Sequence, residues 1–233
     1  WTSPNTVPAA GTYRAAWKFT PDDSSYEPKT GTVNVTVNQA PLTVNITNIA
    51  AIAYGQQLSS AIVTGTAMHG STPVSGHFAW QNDSTKPSVA DSNRTVYTLQ
   101  FIPDSSNYQT YTTTRTITVN RAAAITNPAS ISLSATPITF NQSLASSTIS
   151  TASSLPVAGH FEWENPSEKP SVADSGRTYA VKFVPTDTAN YEVIHNLSCA
   201  ITVNKATPDM TGIAVTGTGI TYGQPLSDSV ISG

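Results

Sequence analysis

Two histidines, His77 and His160, stand in matching pentapeptides, Gly76-His77-Phe78-Ala79-Trp80 and Gly159-His160-Phe161-Glu162-Trp163. Histidine titrates near neutral pH and is the usual proton carrier in catalysis, so a recurring one calls for a nucleophile and an orienting carboxylate beside it. No Ser-His-Asp set and no carboxylate pair recurs with these two, and period-two alternation turns both outward from a strand. The carboxylates that come closest to a set are Asp22-Asp23, Asp104 and Asp187. They lack the dense Asp, Asn and Gly spacing of a calcium loop and read as solvated turn residues. Neither an enzyme nor a metal or other cofactor is expected.

Three further chemistries have candidate residues. Lys18 and Lys182 precede a Phe-x-Pro loop while Asn38, Asn120 and Asn204 end a strand, an order that resembles a lysine–asparagine isopeptide cross-link. The middle position, however, is Gln100, and a solvent-facing lysine with a strand-ending asparagine accounts for the pattern. Trp17, Trp80 and Trp163 could stack sugars, but their alternation with inward residues makes them core residues, where a buried aromatic contributes most to a small domain. The single cysteine, Cys199, excludes an intrachain disulfide and reads as a small core-facing residue with no activating base near it in sequence. Six Asn-x-Ser/Thr sequons, at Asn34, Asn45, Asn82, Asn93, Asn141 and Asn196, are close to what so many Ser and Thr residues produce by chance.

The elements that carry these residues repeat. Phe19-Thr20-Pro21-Asp22, Phe101-Ile102-Pro103-Asp104 and Phe183-Val184-Pro185-Thr186 recur at an even spacing, each followed by a tyrosine: Tyr26, Tyr108 or Tyr191. A period of about 82 residues is a whole small domain and not a solenoid turn. Alternation in the strand before each Phe-x-Pro assigns Tyr13, Ala15, Trp17 and Phe19 to an inward face, then Tyr97, Leu99 and Phe101, then Tyr179, Val181 and Phe183. The closing strands place Val33, Val35 and Val37, Ile117 and Val119, and Ile201 and Val203 inward as well. Proline cannot donate to a ladder, so Pro21, Pro103 and Pro185 must end strands or lie at edges. Asp91-Ser92-Asn93 and Asp174-Ser175-Gly176 supply residues that tolerate left-handed dihedrals just ahead of an aromatic strand. Short strands joined by such turns predict a β-sandwich.

Composition agrees with that class. Charged residues are 11% of the chain, against about 25% in ordinary soluble domains, while Thr (35) and Ser (28) make 63 of 233 positions. Hydroxyls thus replace charges on exposed strand faces, which suits the β-branched threonine. With a net charge of −3 and no basic run, a nucleic-acid surface, which needs clustered Lys and Arg, is not expected. No apolar stretch approaches the roughly 20 residues of a membrane span, so membrane insertion is not expected. The absence of an initiator Met or signal peptide suggests a mature fragment or a window on a longer chain.

Further motifs carry a resemblance. Ile220-Thr221-Tyr222-Gly223-Gln224-Pro225-Leu226, the Gly-x-Phe-x-Trp strand, Pro170-Ser171-Val172-Ala173-Asp174-Ser175-Gly176, Phe183-Val184-Pro185 with Asn190-Tyr191, and Val203-Asn204-Lys205-Ala206 together resemble the YGX-type (MBG-like) tandem repeats of large bacterial surface and adhesin proteins. Tyr54-Gly55-Gln56 matches the pattern, and Phe140-Asn141-Gln142 departs from it. The resemblance implies tandem immunoglobulin-like sandwiches in an extracellular stalk, fibre or adhesin at the bacterial cell surface. Boundaries follow from the period: residues 1–41 are the later strands of one repeat, 42–123 and 124–207 are complete repeats, and 208–233 are the early strands of the next.

Placing Tyr222 on Tyr54 sets Gly233 on Gly65, and Trp1 falls on Trp80, so tail and head together lack only the loop equivalent to 66–79. The divided sandwich would pack Ile220, Tyr222, Leu226 and Val230 against Tyr13, Trp17, Phe19, Val35 and Val37. Three readings stay open. Copies complete each other head-to-tail by strand addition, or the polypeptide simply continues, or the ends are arbitrary cuts. A binding module is the alternative function. It would gather Tyr26, Tyr108 or Tyr191 on one exposed platform for a host or matrix glycan or protein.

Overall fold

The computed structural model describes every residue from Trp1 to Gly233. Strands carry the chain, and the only helical segments are six 3-10 turns of three residues each, so the class is all-β. No helix is long and apolar enough to cross a membrane. The residues form two compact units. The first comprises Trp1–Thr126, Pro156–Gly159 and Val184–Ile194, and the second Asn127–Leu155, His160–Phe183 and His195–Gly233.

The first unit opens with an antiparallel hairpin of Gly11–Phe19 and Lys29–Val37, in which Tyr13 faces Val35, Trp17 faces Gly31 and Phe19 faces Lys29. A Cβ at residue 31 would collide with the Trp17 indole, so glycine is what lets that ring lie across the ribbon. Ala15 is buried, and Tyr13, Trp17, Val35 and Val37 are half-buried on the expected face. Phe19 and Val33 depart from the expectation, with Phe19 61% exposed. The hairpin is a two-stranded sheet, and alternation can place a side chain on a face without supplying the layer that covers it.

Next come two three-stranded sheets. One pairs Thr43–Ile49 with Val63–His69 and then Thr72–Pro73; the other pairs Gly76–Trp80 with Tyr97–Pro103 and then Tyr111–Arg115. Register sets Trp80 beside Leu99 and Phe78 beside Phe101. A single apolar cluster of Ile52, Leu58, Ala61, Trp80, Leu99, Ile117 and Val119 draws in Ile46, Ile49 and Val63 from one sheet and Phe78 and Tyr97 from the other. The expected closing strand is shorter than its apolar run: Val119–Asn120 pairs in parallel with Ile52–Ala53, and Ile117 is buried ahead of the ladder.

Gly159–Trp163, Thr178–Pro185 and Ile194–Ala200 form a three-stranded sheet whose residues belong mostly to the second unit, and within that unit Ile138–Thr139 runs parallel to Val203–Asn204. Trp163, Val181, Phe183, Cys199, Ile201 and Val203 are buried, as their alternation predicts. Burial alone holds the Cys199 thiol above its ordinary pKa, which keeps it protonated and unreactive.

Particular devices occur once in each unit. The Trp80 indole donates to Ala61 O at 3.1 Å, and that of Trp163 to Ser147 O at 3.4 Å. Ser88 with Asp91, and Ser171 with Asp174, close reciprocal capping boxes on 3-10 turns of identical sequence, Val-Ala-Asp, each satisfying donors that a helix start leaves orphaned. Ser92 Oγ accepts the Val119 N–H at 2.9 Å and Ser175 Oγ that of Val203 at 3.0 Å. Both left-handed turn positions fall where expected, with φ 56° at Asn93 and 87° at Gly176.

Candidate functional site

The Tyr54-Gly55-Gln56 turn is built locally. Gly55 takes φ 87°, and the Gln56 side chain folds back so that Oε1 accepts the Ala53 N–H at 2.7 Å. The same turn recurs at Phe140-Asn141-Gln142, with φ 75° and a Thr139-to-Gln142 bond of 2.7 Å, and at Tyr222-Gly223-Gln224, with φ 97° and 2.6 Å. Asparagine is the residue after glycine that best tolerates this region, which explains how the divergent copy keeps the turn. In each turn the aromatic precedes the positive-φ residue. The Tyr54 N–H reaches Asn120 O and that of Phe140 reaches Asn204 O, both at 2.9 Å.

Tyr54 meets a distant loop. Its ring and that of Tyr191 stack edge to face, with centroids 5.3 Å apart and planes 86° apart. Tyr191 is held there by its backbone, because Ala122–Ala123 and Tyr191–Glu192 form a short parallel ladder and Ala122 N–H donates to Asn190 O at 2.9 Å. Asn190 is the pin of this junction. Its Oδ1 accepts the Val89 N–H at 3.0 Å, while its Nδ2 donates to Asp187 Oδ2 at 2.9 Å.

A second junction repeats the plan earlier in the chain, at Asn107 and Tyr108. Ala40 N–H donates to Asn107 O at 2.8 Å, Gln109 N–H returns to Ala40 O at 2.9 Å, and Ala40 bridges Tyr108 in parallel. Asn107 Oδ1 accepts the Ala10 N–H at 2.8 Å, so each asparagine amide caps the loop that leads into an earlier aromatic strand. Gln39 Nε2 adds a bond to Ser106 O at 2.9 Å. Backbone groups of Ala40 and of Ala122–Ala123 are therefore engaged. A hydrogen bond of this kind contributes about 0.5–1.5 kcal/mol net.

The tyrosines that the sequence offers as glycan contacts divide by environment. Tyr108 and Tyr191 are half-buried in separate contacts, Tyr108 against the His69 ring at 5.7 Å and Tyr191 on Tyr54, and Tyr26 is exposed. Of the residues expected to pack head-to-tail, Tyr13, Trp17, Phe19, Val35 and Val37 share one face of the first hairpin. Ile220, Tyr222, Leu226 and Val230 are all exposed in the C-terminal segment, where Thr216–Gly217 pairs with Ile231–Ser232.

The polar candidates resolve into local bonds. His77 and His160 are both exposed, and His160 Nε2 lies 2.8 Å from Glu162 Oε1. Lys182 Nζ sits 3.1 Å from Glu162 Oε2, so its close polar partner is a carboxylate and not a strand-ending asparagine. Asp23 accepts the Ser25 N–H at 2.8 Å, a backbone bond that lowers its pKa, and Asp187 accepts that of Asn190 at 3.2 Å. No three His, Cys, Asp or Glu side chains gather as a metal site would require. An open groove of about 780 Å³ lies beside Ala61, Val63, Gly65, Phe78, Trp80 and Phe101.

No protein-family model and no curated protein matches the chain. The junctions are what sequence reasoning missed. The Asn-Tyr dipeptide is visible in the sequence, but its partners Val89, Ala122 and Tyr54 lie most of a repeat or more away from Asn190 and Tyr191; no local pattern names them.

Proposed function

We propose that the chain is a structural repeat segment of an extracellular bacterial fibre or adhesin stalk, built of immunoglobulin-like sandwiches of about 82 residues. In this reading 42–123 and 124–207 are whole repeats, and the partial repeats 1–41 and 208–233 complete one sandwich between successive units. The role is mechanical: the chain projects another element away from the cell. The observation that carries the reading is the paired junction, in which Asn107-Tyr108 and Asn190-Tyr191 each tie a loop to a connecting segment and to an earlier strand entrance. A connection made that way resists bending, as a stalk requires and a signalling or catalytic module does not. The capping boxes and tryptophan bonds that occur once per unit support the repeat.

Electron microscopy of the native material tests the proposal. Fibres with an axial period near three repeats are expected, and isolated particles with no axial period would overturn it.

A binding module is the second reading, and the open groove flanked by Phe78, Trp80 and Phe101 favours it. Binding on a glycan array that is lost on enlarging the exposed groove residues Thr64 or Thr66, with the fold intact, would move the assignment there.

A further inference from the structure

Along one side of the strand Val63–His69 lies Thr43–Ile49, over its whole length. On the other side Thr72–Pro73 opposes only Met68 and His69, and the last rung is the bond from Val74 N–H to Ala67 O at 2.9 Å. Ladder groups alternate between the two sides of a strand, so the N–H and C=O of Val63 and Gly65 point to the side of Ala67 O, where no further strand runs. Proteins blunt such edges with charges, prolines or very short strands. The run Val63-Thr64-Gly65-Thr66-Ala67 carries neither charge nor proline. In the second unit the matching strand, placed by the equivalent Trp163 bond to Ser147 O, is Ile149–Thr151, only three residues long.

This edge borders the open groove of about 780 Å³. Phe78 and Phe101 make the groove aromatic, and Gly65 brings the Phe78 ring up to the strand, since a Cβ there would meet that ring and Asn45 O. The Val74 bond to Ala67 closes one end, and the Trp80 indole on Ala61 O closes the other. Among the lining residues Asp83 is the only carboxylate, and no Lys or Arg is present.

We propose that the Val63–Ala67 edge takes an extended, uncharged peptide segment of a partner protein, added as a further strand where Thr72–Pro73 leaves off. The edge decides the class of occupant: donors and acceptors repeating at strand spacing are matched by a polypeptide backbone, and the hydroxyls of a glycan do not repeat in that way. Directly opposed residues of a ladder project to the same face. The two residues opposite Val63 and Gly65 therefore turn into the groove and are apolar, while those between them lie beside Thr64 and Thr66 and are polar. The inference is independent of the stalk reading. It rests on the binding reading for the groove alone, whose occupant it names as peptide and not glycan.

The probe is the peptide Thr-Val-Thr-Val-Thr, acetylated and amidated at its ends, titrated into the isotope-labelled full 233-residue chain and followed by amide hydrogen exchange. Saturable binding should slow exchange at the Val63 and Gly65 N–H groups, whereas those of Thr64 and Thr66, which face Thr43–Ile49, should keep their rates. Methylating both valine nitrogens of the peptide removes the donors to this edge and should weaken binding by about 10-fold or more; methylating the middle threonine nitrogen, which faces away, should weaken it by less than about 3-fold. No saturable binding at millimolar peptide, equal losses from the two methylations, or slowing at Phe78 and Trp80 in place of Val63 and Gly65 overturns the proposal. Slowing that grows with protein concentration in the absence of peptide would give the edge to a second copy and overturns it as well. Failure of the peptide beside glycan binding that changes at Thr64 or Thr66 abolish would sink this proposal and leave the binding reading standing. Fibres in the native material test the stalk reading separately.

Discussion

Tyr191 meets Tyr54 edge to face at 5.3 Å between ring centroids, although more than a whole repeat of chain separates them. Such a pair is worth about 0.5–1.5 kcal/mol beyond its buried area. A double-mutant cycle with Tyr54→Ala and Tyr191→Ala, read by urea unfolding, should return a coupling energy in that range. Tyr54→Phe should keep it, because the contact is between rings. Independent, additive losses would show that the backbone ladder at Ala122 alone holds the loop.

Asn141 adopts φ 75° where the matching turns have Gly55 and Gly223. Asn141→Gly should leave stability unchanged or raise it slightly, because glycine has no Cβ to strain there. Asn141→Val should cost about 1–2 kcal/mol, the left-handed penalty for a side chain, which is felt most by a β-branched one. Thermal melting of the three proteins gives the order directly.

Asp91 and Asp174 have pKa values held below the ordinary aspartate range, first by the side-chain hydroxyls of Ser88 and Ser171 and then by the N–H groups of the same residues. A carboxyl whose folded pKa is depressed contributes stability that is present above its unfolded value, about 3.9, and is lost as pH falls through the folded value. Unfolding followed between pH 6 and pH 2 should therefore show stability falling below about pH 4. The fall should be shallower in Asp91→Asn and shallower still with Asp174→Asn added. An unchanged acid limb in the double variant would place the titration elsewhere.

Leu99 and Phe183 are fully buried, one in each unit. Leu99→Ala should cost about 2–5 kcal/mol and Phe183→Ala about 3–5 kcal/mol, whereas Phe19→Ala, at a 61% exposed position, should cost much less in the isolated chain. The contrast matters because the same alternation assigns all three to inward faces. Denaturant midpoints of the three variants check it, and an equal loss at Phe19 would mean that its face is covered.

Much of the local structure was legible. Pro103 and Pro185 end their strands, because proline has no N–H for the ladder. Asn93 and Gly176 turn left-handed, because few other side chains can. Leu99, Phe101, Val181 and Phe183 are buried, since period-two alternation gives every strand two faces and the apolar one is covered where a second layer exists. The Gln56 bond to Ala53 is as local as any of these, yet the repeated glutamine shows in the sequence only as part of a motif; its hydrogen-bonding role needed the turn geometry.

Dihedral preference, ladder chemistry and facial alternation are properties of a residue and its immediate neighbours, so the sequence by itself determined the all-β class, the turns and the two faces of each strand. Burial and pairing belong to whatever is brought alongside. Only the tertiary structure could decide that Phe19 stays exposed while Phe101 is covered, that Val119 pairs in parallel with Ile52, and that Asn190 caps Val89. Such contacts close over long stretches of chain. They form because the whole cores and connecting segments fit, and no short window of sequence carries that information.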